Sequence, residues 1–166
     1  MQTTSDAVET RRRRLGIAEH EVATEPAVLT TSGLGSCVGI ALYDGGGRGG
    51  LAHCMLPSAA DADDADAKPA KYVDTAIETL RAELVEAGAS PGDLRAKIAG
   101  GSDMLGLSGG PTVGERNAAA AREELDARGI PVVATETGGG QGRSLAFETA
   151  TGRLSIAAAD GSETDL

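Results

Sequence analysis

The stretch TTSGLGSCVGIALYDGGGRGGLAHCMLP, residues 30–57, carries the strongest fold signal in the chain. Two apolar runs, residues 36–44 and 51–57, flank a glycine-rich segment at residues 45–50. Strand-like runs rich in Val, Ile and Leu around such a turn are typical of a β-hairpin. The sequence therefore predicts two antiparallel strands, with a cysteine near the start of the first and a histidine in the second.

The segments outside this hairpin add helices and further strands. Apolar side chains recur at helical spacing in residues 71–88, and residues 113–129 form a second, alanine-rich helical pattern. Further strands are expected at residues 15–23, 27–32, 94–101 and 130–137, and in a closing hairpin at residues 144–158. Because the strands outnumber the helices and form hairpins, the predicted class is α+β with a layered arrangement, rather than a strict βαβ alternation.

The length of 166 residues fits one domain with a sizeable core. We expect this domain to span residues 14–159. Residues 1–13 are polar and rich in arginine, which predicts a disordered arm, and residues 160–166 form a polar, acidic tail.

The composition excludes several classes of partner. The net charge of −10 argues against nucleic acid and anionic membranes as partners. No run approaches the ~18 apolar residues of a membrane span, and no apolar segment follows Arg11–Arg14 as in a signal peptide, so a cytoplasmic protein with free thiols is expected. Only three of the 15 basic residues are lysines, and such an acidic, lysine-poor chain is typical of a protein that is soluble at high salt.

The glycines near Cys37 do not match a phosphate-binding loop. Their spacing, Gly33-x-Gly35-x-x-x-Gly39, is neither GxGxxG nor a Walker motif, and a strand follows instead of a helix. A metal site is equally unsupported, because His53 and Cys54 are adjacent on a strand and point to opposite faces. The sequence therefore predicts neither a nucleotide cofactor nor a metal.

A cysteine nucleophile is the stronger hypothesis, because a thiol needs a neighbouring histidine to take its proton at neutral pH. An odd-length turn would place Cys37 and His53 on the same face of the hairpin. The predicted register puts them directly opposite each other, with a three-residue loop at residues 44–46 and Cys54 on the other face, in the core. Two alternatives stay open from the residues alone: Cys37 as a packing residue and His53 as a core histidine.

Seven blocks, taken together and in order, resemble the CheD family of chemoreceptor glutamine deamidases: TSGLGSCVGIALYD, GLAHCMLP, KYVDTAIETL, AKIAGGSDM, GERN, TGGGQGR and TGRL. The resemblance covers residues 15–157. It implies that Cys37 is the nucleophile, that His53 is its histidine and that Thr31 is a third catalytic residue. Two departures, Ser32 and Cys54 where larger or branched apolar residues are usual, leave these three positions intact.

The resemblance also implies a fold, a reaction and partners. The fold would be an α/β sandwich with a β-rich core, related to bacterial toxin deamidases and distantly to papain-like cysteine hydrolases. A glutamine on a chemoreceptor helix would be hydrolysed to glutamate through a thioester, and hydrolysis of receptor methyl esters is left open. Small residues at Gly35 and Ser36 would admit the substrate and offer backbone N–H groups to an oxyanion. The alternative role is an adaptor that binds a CheC-type phosphatase.

Molar salt should stabilise the fold. Excess surface carboxylates repel each other, and at 1 M salt screening shortens that repulsion to ~3 Å. We expect the melting temperature to rise between low and molar KCl, measured by thermal unfolding across a KCl series. A melting temperature that is flat or falls over this range would contradict the expectation.

Overall fold

The computed structural model describes residues 11–61, 68–103 and 110–166. The strands are β1 (Arg11–Arg14), β2 (His20–Ala23), β3 (Ala27–Leu34), β4 (Val38–Tyr43), β5 (Gly49–Cys54), β6 (Arg95–Gly100), β7 (Val132–Thr137), β8 (Arg143–Glu148), β9 (Arg153–Ala158) and β10 (Glu163–Asp165). The helices are α1 (Val73–Glu86) and α2 (Val113–Ala127). Short 3-10 turns lie at Ala59–Asp61, Pro69–Lys71 and Pro91–Asp93.

The strands form two sheets that pack face to face. The middle sheet has the order β2-β5-β4-β6-β7, and the outer sheet has the order β1-β3-β8-β9-β10. Both sheets are mixed, since β1 pairs with β3 and β6 with β7 in parallel and the other strand pairs are antiparallel. The two helices cover the other face of the middle sheet. The predicted α+β layered class is confirmed, with the layers in the order helices, middle sheet, outer sheet.

Alternation along β4 and β5 divides the core into two parts. Val38, Ile40 and Leu42 face the helices, where they meet the apolar stripe of α1. Ala41 and Leu51 face the outer sheet instead. Successive residues of a strand point to opposite faces, so the middle sheet is apolar on both sides, as expected of a sheet covered on both faces.

The β4–β5 hairpin has the predicted pairing type but a register shifted by two residues. Gly39 lies opposite His53, and Tyr43 lies opposite Gly49 rather than Gly47. The prediction of a three-residue loop was therefore wrong, because five residues, 44–48, connect the strands. The Asp44 carboxylate explains the wider loop, since it accepts hydrogen bonds from the N–H groups of Gly46 at 2.7 Å and Arg48 at 3.2 Å.

Both ends of the described chain add strands to the outer sheet. Residues 11–13, which were assigned to a disordered arm, belong to β1 and pair with β3. That part of the prediction was wrong. The edge of β3 offers unpaired backbone N–H and C=O groups, and the backbone of β1 can pair with them whatever side chains β1 carries. Residues 1–10 lie outside the described residues. In the acidic tail, Glu163–Asp165 forms β10 and pairs with β9.

No helix within the described ranges is long and apolar enough to cross a bilayer.

The start of α2 packs backbone against backbone on the end of β6. A Cβ on Gly114 would lie 2.5 Å from Ser102 O and 2.6 Å from the carbonyl carbon of Gly101. Real Cβ atoms do not approach that closely, so a side chain here would push α2 away from the middle sheet. Glycine at position 114 thus sets the distance between α2 and the segment that follows β6.

Gly114→Ala should cost about 1–3 kcal/mol through overpacking and gain ~1 kcal/mol in helix propensity, so the free energy of unfolding should fall by up to about 2 kcal/mol. Urea denaturation measures the change. Gly92→Ala is the matched control, because a Cβ there has no heavy atom within 4 Å, and its stability should stay near that of the wild type. Equal stabilities for the two variants would contradict the packing argument.

Candidate active site

His53 lies between the two sheets and is fully buried. It stands on β5 beside Leu51 in the face that meets the outer sheet, where Thr31 of β3 reaches it. A hydrogen bond of 2.8 Å joins Thr31 Oγ1 and His53 Nδ1. The sequence-predicted pair of His53 and Thr31 is thus brought together across the layer between the sheets.

Cys37 precedes β4 by one residue and lies on the same side of the middle sheet. It is half-buried and packs against the apolar cluster between the sheets. Gly39 is directly opposite His53, so Cys37 sits two residues further toward the open end of the hairpin, on the face that His53 shares. The shift of two residues preserves the shared face that the sequence predicted.

The second nitrogen of His53 has no partner among the described residues. His53 Nε2 is buried and makes no hydrogen bond to any of them, Cys37 included. Burial lowers the pKa of His53 below its ordinary value and raises the pKa of the Cys37 thiol. Both shifts favour the uncharged forms of the two side chains.

The carbonyl groups of the loop before Cys37 accept hydrogen bonds from three residues. Ser102 donates to Gly35 O from its backbone N at 2.9 Å and from Oγ at 2.7 Å. Asn117 Nδ2 donates to Ser36 O at 2.9 Å, and Gly101 N donates to Cys37 O at 2.8 Å. Three consecutive carbonyls are therefore fixed by two residues of the segment after β6 and one residue of α2.

The N–H groups of the same loop differ in their availability. Gly35 N donates to Gly33 O at 3.1 Å, across a turn in which Gly33 has φ of +77°. By contrast, the N–H groups of Ser36 and Cys37 donate to no acceptor in the part of the chain that the structure describes. Of the two oxyanion donors predicted from the sequence, Ser36 is thus available, whereas the Gly35 N–H is already engaged.

The remaining cysteine and histidine lie elsewhere. Cys54 is fully buried on the face toward the helices, and burial raises its pKa. His20 on β2 lies 3.0 Å from a carboxylate oxygen of Glu83 on α1. Among the described residues, no group of three or more His, Cys, Asp and Glu side chains is arranged to hold a metal ion.

Sequence reasoning missed the residues that support the loop. Ser102 and Asn117 stand within the quoted blocks AKIAGGSDM and GERN, but no role was assigned to them. One signal was present: Asn117 falls on the apolar side of an alanine-rich helix, four residues before Ala121 and eight before Leu125. A polar side chain on a buried helical face needs a hydrogen-bond partner, which marks it as a candidate contact.

Comparison with known proteins identifies the family. The family model described as CheD chemotactic sensory transduction matches residues 55–158. A relative from Haloarcula marismortui, named probable chemoreceptor glutamine deamidase CheD, is 51% identical over 96% of this chain and 92% of its own. This chain belongs to the CheD family.

Two more family members support the assignment. The relative from Geobacter metallireducens, named probable chemoreceptor glutamine deamidase CheD 2, is 49% identical and covers 87% of this chain and 91% of its own. The Natronomonas pharaonis relative, named probable chemoreceptor glutamine deamidase CheD, is 44% identical, with 93% of both chains covered. Among solved structures, the Bacillus licheniformis hypothetical protein YfiH matches with a TM-score of 0.46 and 16% identity, over 70% of this chain and 49% of its own.

A thiol reagent should distinguish the two cysteines of the native protein. Cys37 is half-buried at the open end of the hairpin, whereas Cys54 is fully buried. We expect one modified thiol per native chain near neutral pH, and a second only on unfolding, measured by intact-mass spectrometry over time. Cys37→Ala should abolish the native modification, and Cys54→Ala should retain it. Equal modification rates for both thiols would contradict the assigned faces.

The buried His53 should make the fold less stable in mild acid. Its pKa is lowered in the folded protein, so below the ordinary value of ~6.5 the unfolded chain binds a proton that the native protein does not. Stability is therefore complete above pH ~6.5 and falls as the pH is lowered toward the folded pKa. Urea unfolding between pH 5 and 7 should show a positive slope that is reduced in His53→Gln. If stability depended on pH equally in His53→Gln and in the wild type, the assignment of this pH dependence to His53 would be wrong.

Proposed function

We propose that this chain is a protein-glutamine deamidase that converts glutamine side chains of chemoreceptors to glutamate. The observation that carries the proposal is the Thr31–His53 hydrogen bond, on the face that His53 shares with Cys37, with His53 Nε2 lacking a partner among the described residues. The names of the relatives, probable chemoreceptor glutamine deamidases, supply the substrate class. A cysteine-histidine pair supported by a third group is also the chemistry of other cysteine hydrolases.

The reaction begins with proton transfer from the Cys37 thiol to His53. The Thr31 hydroxyl holds the ring at Nδ1, and in the tautomer whose Nδ1–H donates to Thr31 Oγ1 the lone pair of Nε2 is the acceptor for the thiol proton. The sulfur attacks the carboxamide carbon, and the C–N bond breaks as His53 returns the proton to the departing ammonia. Water, activated by His53, then hydrolyses the thioester to leave glutamate and the free thiol.

The third group is a hydroxyl, and this affects the charge state of the pair. A carboxylate partner would stabilise an imidazolium, but a hydroxyl contributes no charge, and burial disfavours both ions. We therefore propose that the thiolate does not accumulate in the free enzyme, and that the proton moves to His53 as the sulfur attacks. His53 acts as a general base rather than as half of a standing ion pair.

The oxyanion of the tetrahedral intermediate would be held by the backbone. The Ser36 and Cys37 N–H groups have no acceptor among the described residues, while the carbonyls of the same loop are engaged on the far side. Fixed donors of this kind stabilise developing charge without reorganisation. Gly33 and Gly35, which carry no side chains, leave space for a carboxamide to approach the sulfur. We assign oxyanion binding to Ser36 and Cys37 rather than to Gly35.

The partners follow from this reaction. Receptor helices that carry the target glutamines are the proposed substrates, and the proposed location is the cytoplasm, where a single domain that includes β1 and β10 would meet them. A CheC-type phosphatase is a further proposed partner. Binding such a partner does not require a histidine tied to a threonine beside a cysteine, so this arrangement favours the enzyme over a pure adaptor.

Substitutions at the three residues should separate their roles. Cys37→Ala should abolish deamidation because no nucleophile remains. His53→Asn should slow the reaction ~10²–10⁴-fold by removing the base, and Thr31→Val should cost less because threonine only orients it. Mass spectrometry of a co-expressed receptor measures the ~1 Da increase from glutamine to glutamate.

Matched variants control for folding. Thr31→Ser keeps the hydroxyl and should retain most of the activity, and Cys54→Ala and His20→Asn alter the cysteine and histidine that lie outside the site. Undiminished deamidation by Cys37→Ala would overturn the mechanism. A loss in folded Thr31→Val as complete as that in Cys37→Ala would overturn the ranking of roles.

A further inference from the structure

Asn117 is a buried polar residue that the reaction itself does not use. It lies in the second turn of α2, its side chain is inaccessible to solvent, and its amide points at the middle sheet. Asn117 Nδ2 donates two hydrogen bonds, to Ser36 O at 2.9 Å and to Met55 O at 2.9 Å. One amide therefore bridges the residue before Cys37 and the second residue after His53.

The two hydrogen bonds lie just beyond the end of the backbone pairing between β4 and β5. The β4–β5 ladder ends at the pair Val38 and Cys54, so Cys37 lies one position beyond the last paired residues. Ser36 and Met55 continue the two chains past that point. The Asn117 amide joins them there.

The amide is itself held in place by the start of α2. Thr112 caps the helix by accepting from Glu115 N at 3.1 Å, and the Glu115 side chain accepts from Thr112 N. Gly114 packs directly on the backbone of Gly101, which binds the carbonyl of Cys37. A donor on such an anchored turn has little freedom to move.

One end of the amide is engaged and the other is not. Asn117 Oδ1 is buried and accepts no hydrogen bond from the residues in the described ranges. An apolar side chain of similar shape would remove that unpaired acceptor, but it would leave the carbonyls of Ser36 and Met55 without this donor. What the residue contributes is therefore the pair of hydrogen bonds that its N–H groups make.

We propose that Asn117 is a positioning residue for the Cys37 nucleophile. By tying the loop at Ser36 to the chain that follows His53, it fixes the Cys37 sulfur relative to His53 Nε2. The relevance of this clamp to catalysis rests on the proposed deamidase function. Its effect on the thiol does not require a receptor substrate and can be measured separately.

Asn117→Leu removes both donors with little change in shape. We expect its kcat for receptor deamidation to fall ~10–10²-fold, the range for a reacting group displaced by about 1 Å, while KM stays within about twofold. The rate at which iodoacetamide alkylates Cys37 should be measured from pH 6 to 9. The difference between the wild-type and His53→Asn profiles is the part that depends on His53, and we expect Asn117→Leu to lose that part.

Leu125→Ala is the control for a merely structural effect. Leu125 is buried on the same helix in the core toward the helices, away from the loop. This variant should be less stable than the wild type but should keep its kcat and its alkylation profile well below its unfolding temperature. A purely structural role for Asn117 predicts that the two variants behave alike.

Asn117→Gln provides the second test if Asn117→Leu does not fold. It retains the donors on a side chain one methylene longer, and its kcat and profile should lie between those of the wild type and His53→Asn. A folded Asn117 variant with wild-type kcat and a wild-type profile overturns the inference. Absence of receptor deamidation by the wild-type protein overturns the proposed function instead, and the alkylation profile still tests the clamp, so the two failures are distinguishable.

Discussion

The hydrogen bond between Thr31 and His53 crosses from one sheet to the other, and the candidate site depends on it. Its 2.8 Å length requires β3 and β5 to stand at a fixed separation, which the apolar residues between the sheets determine. Leu145 of β8 contributes directly, because it fills the space over Gly39, where a Cβ would lie 2.3 Å from its Cδ1. The packing of the two sheets is therefore part of the site's geometry, not only of its stability.

Burial of His53 also disfavours charge in the candidate site. Between two apolar sheets, an imidazolium or a thiolate loses its hydration, which lowers the pKa of His53 and raises that of Cys37. A carboxylate in place of Thr31 would bring a further charge into the same layer, at a cost that a hydroxyl avoids. A threonine is thus suited to a histidine this deeply buried, because it fixes the ring without adding charge.

The sequence predicted the elements of the site better than their exact register. Alternation in residues 36–44 and 51–57 placed Cys37 and His53 on one face, and the structure agrees because the loop has an odd number of residues. The loop length itself was wrong, since one carboxylate, Asp44, caps a wider turn that glycine content alone does not specify. Thr31 came from the family resemblance, because contacts between sheets leave no periodic signal in one sequence. Strand β1 was missed for a related reason: four arginines carry no strand pattern, and their pairing is decided by the edge of β3.

Glycine and aromatic residues mark opposite ends of the layer between the sheets. At the Tyr43 end of β4, the rings of Tyr43 and Phe147 lie 5.9 Å apart and fill the layer. At the Cys37 end, backbone approaches backbone: Gly100 lies where a Cβ would be 2.5 Å from Cys37 O. There the carbonyls of Gly35, Ser36 and Cys37 are held from one side, whereas the N–H groups of Ser36 and Cys37 meet no acceptor among the described residues. The two ends of the layer are therefore filled in different ways, by aromatic rings at one end and by close backbone contacts at the other.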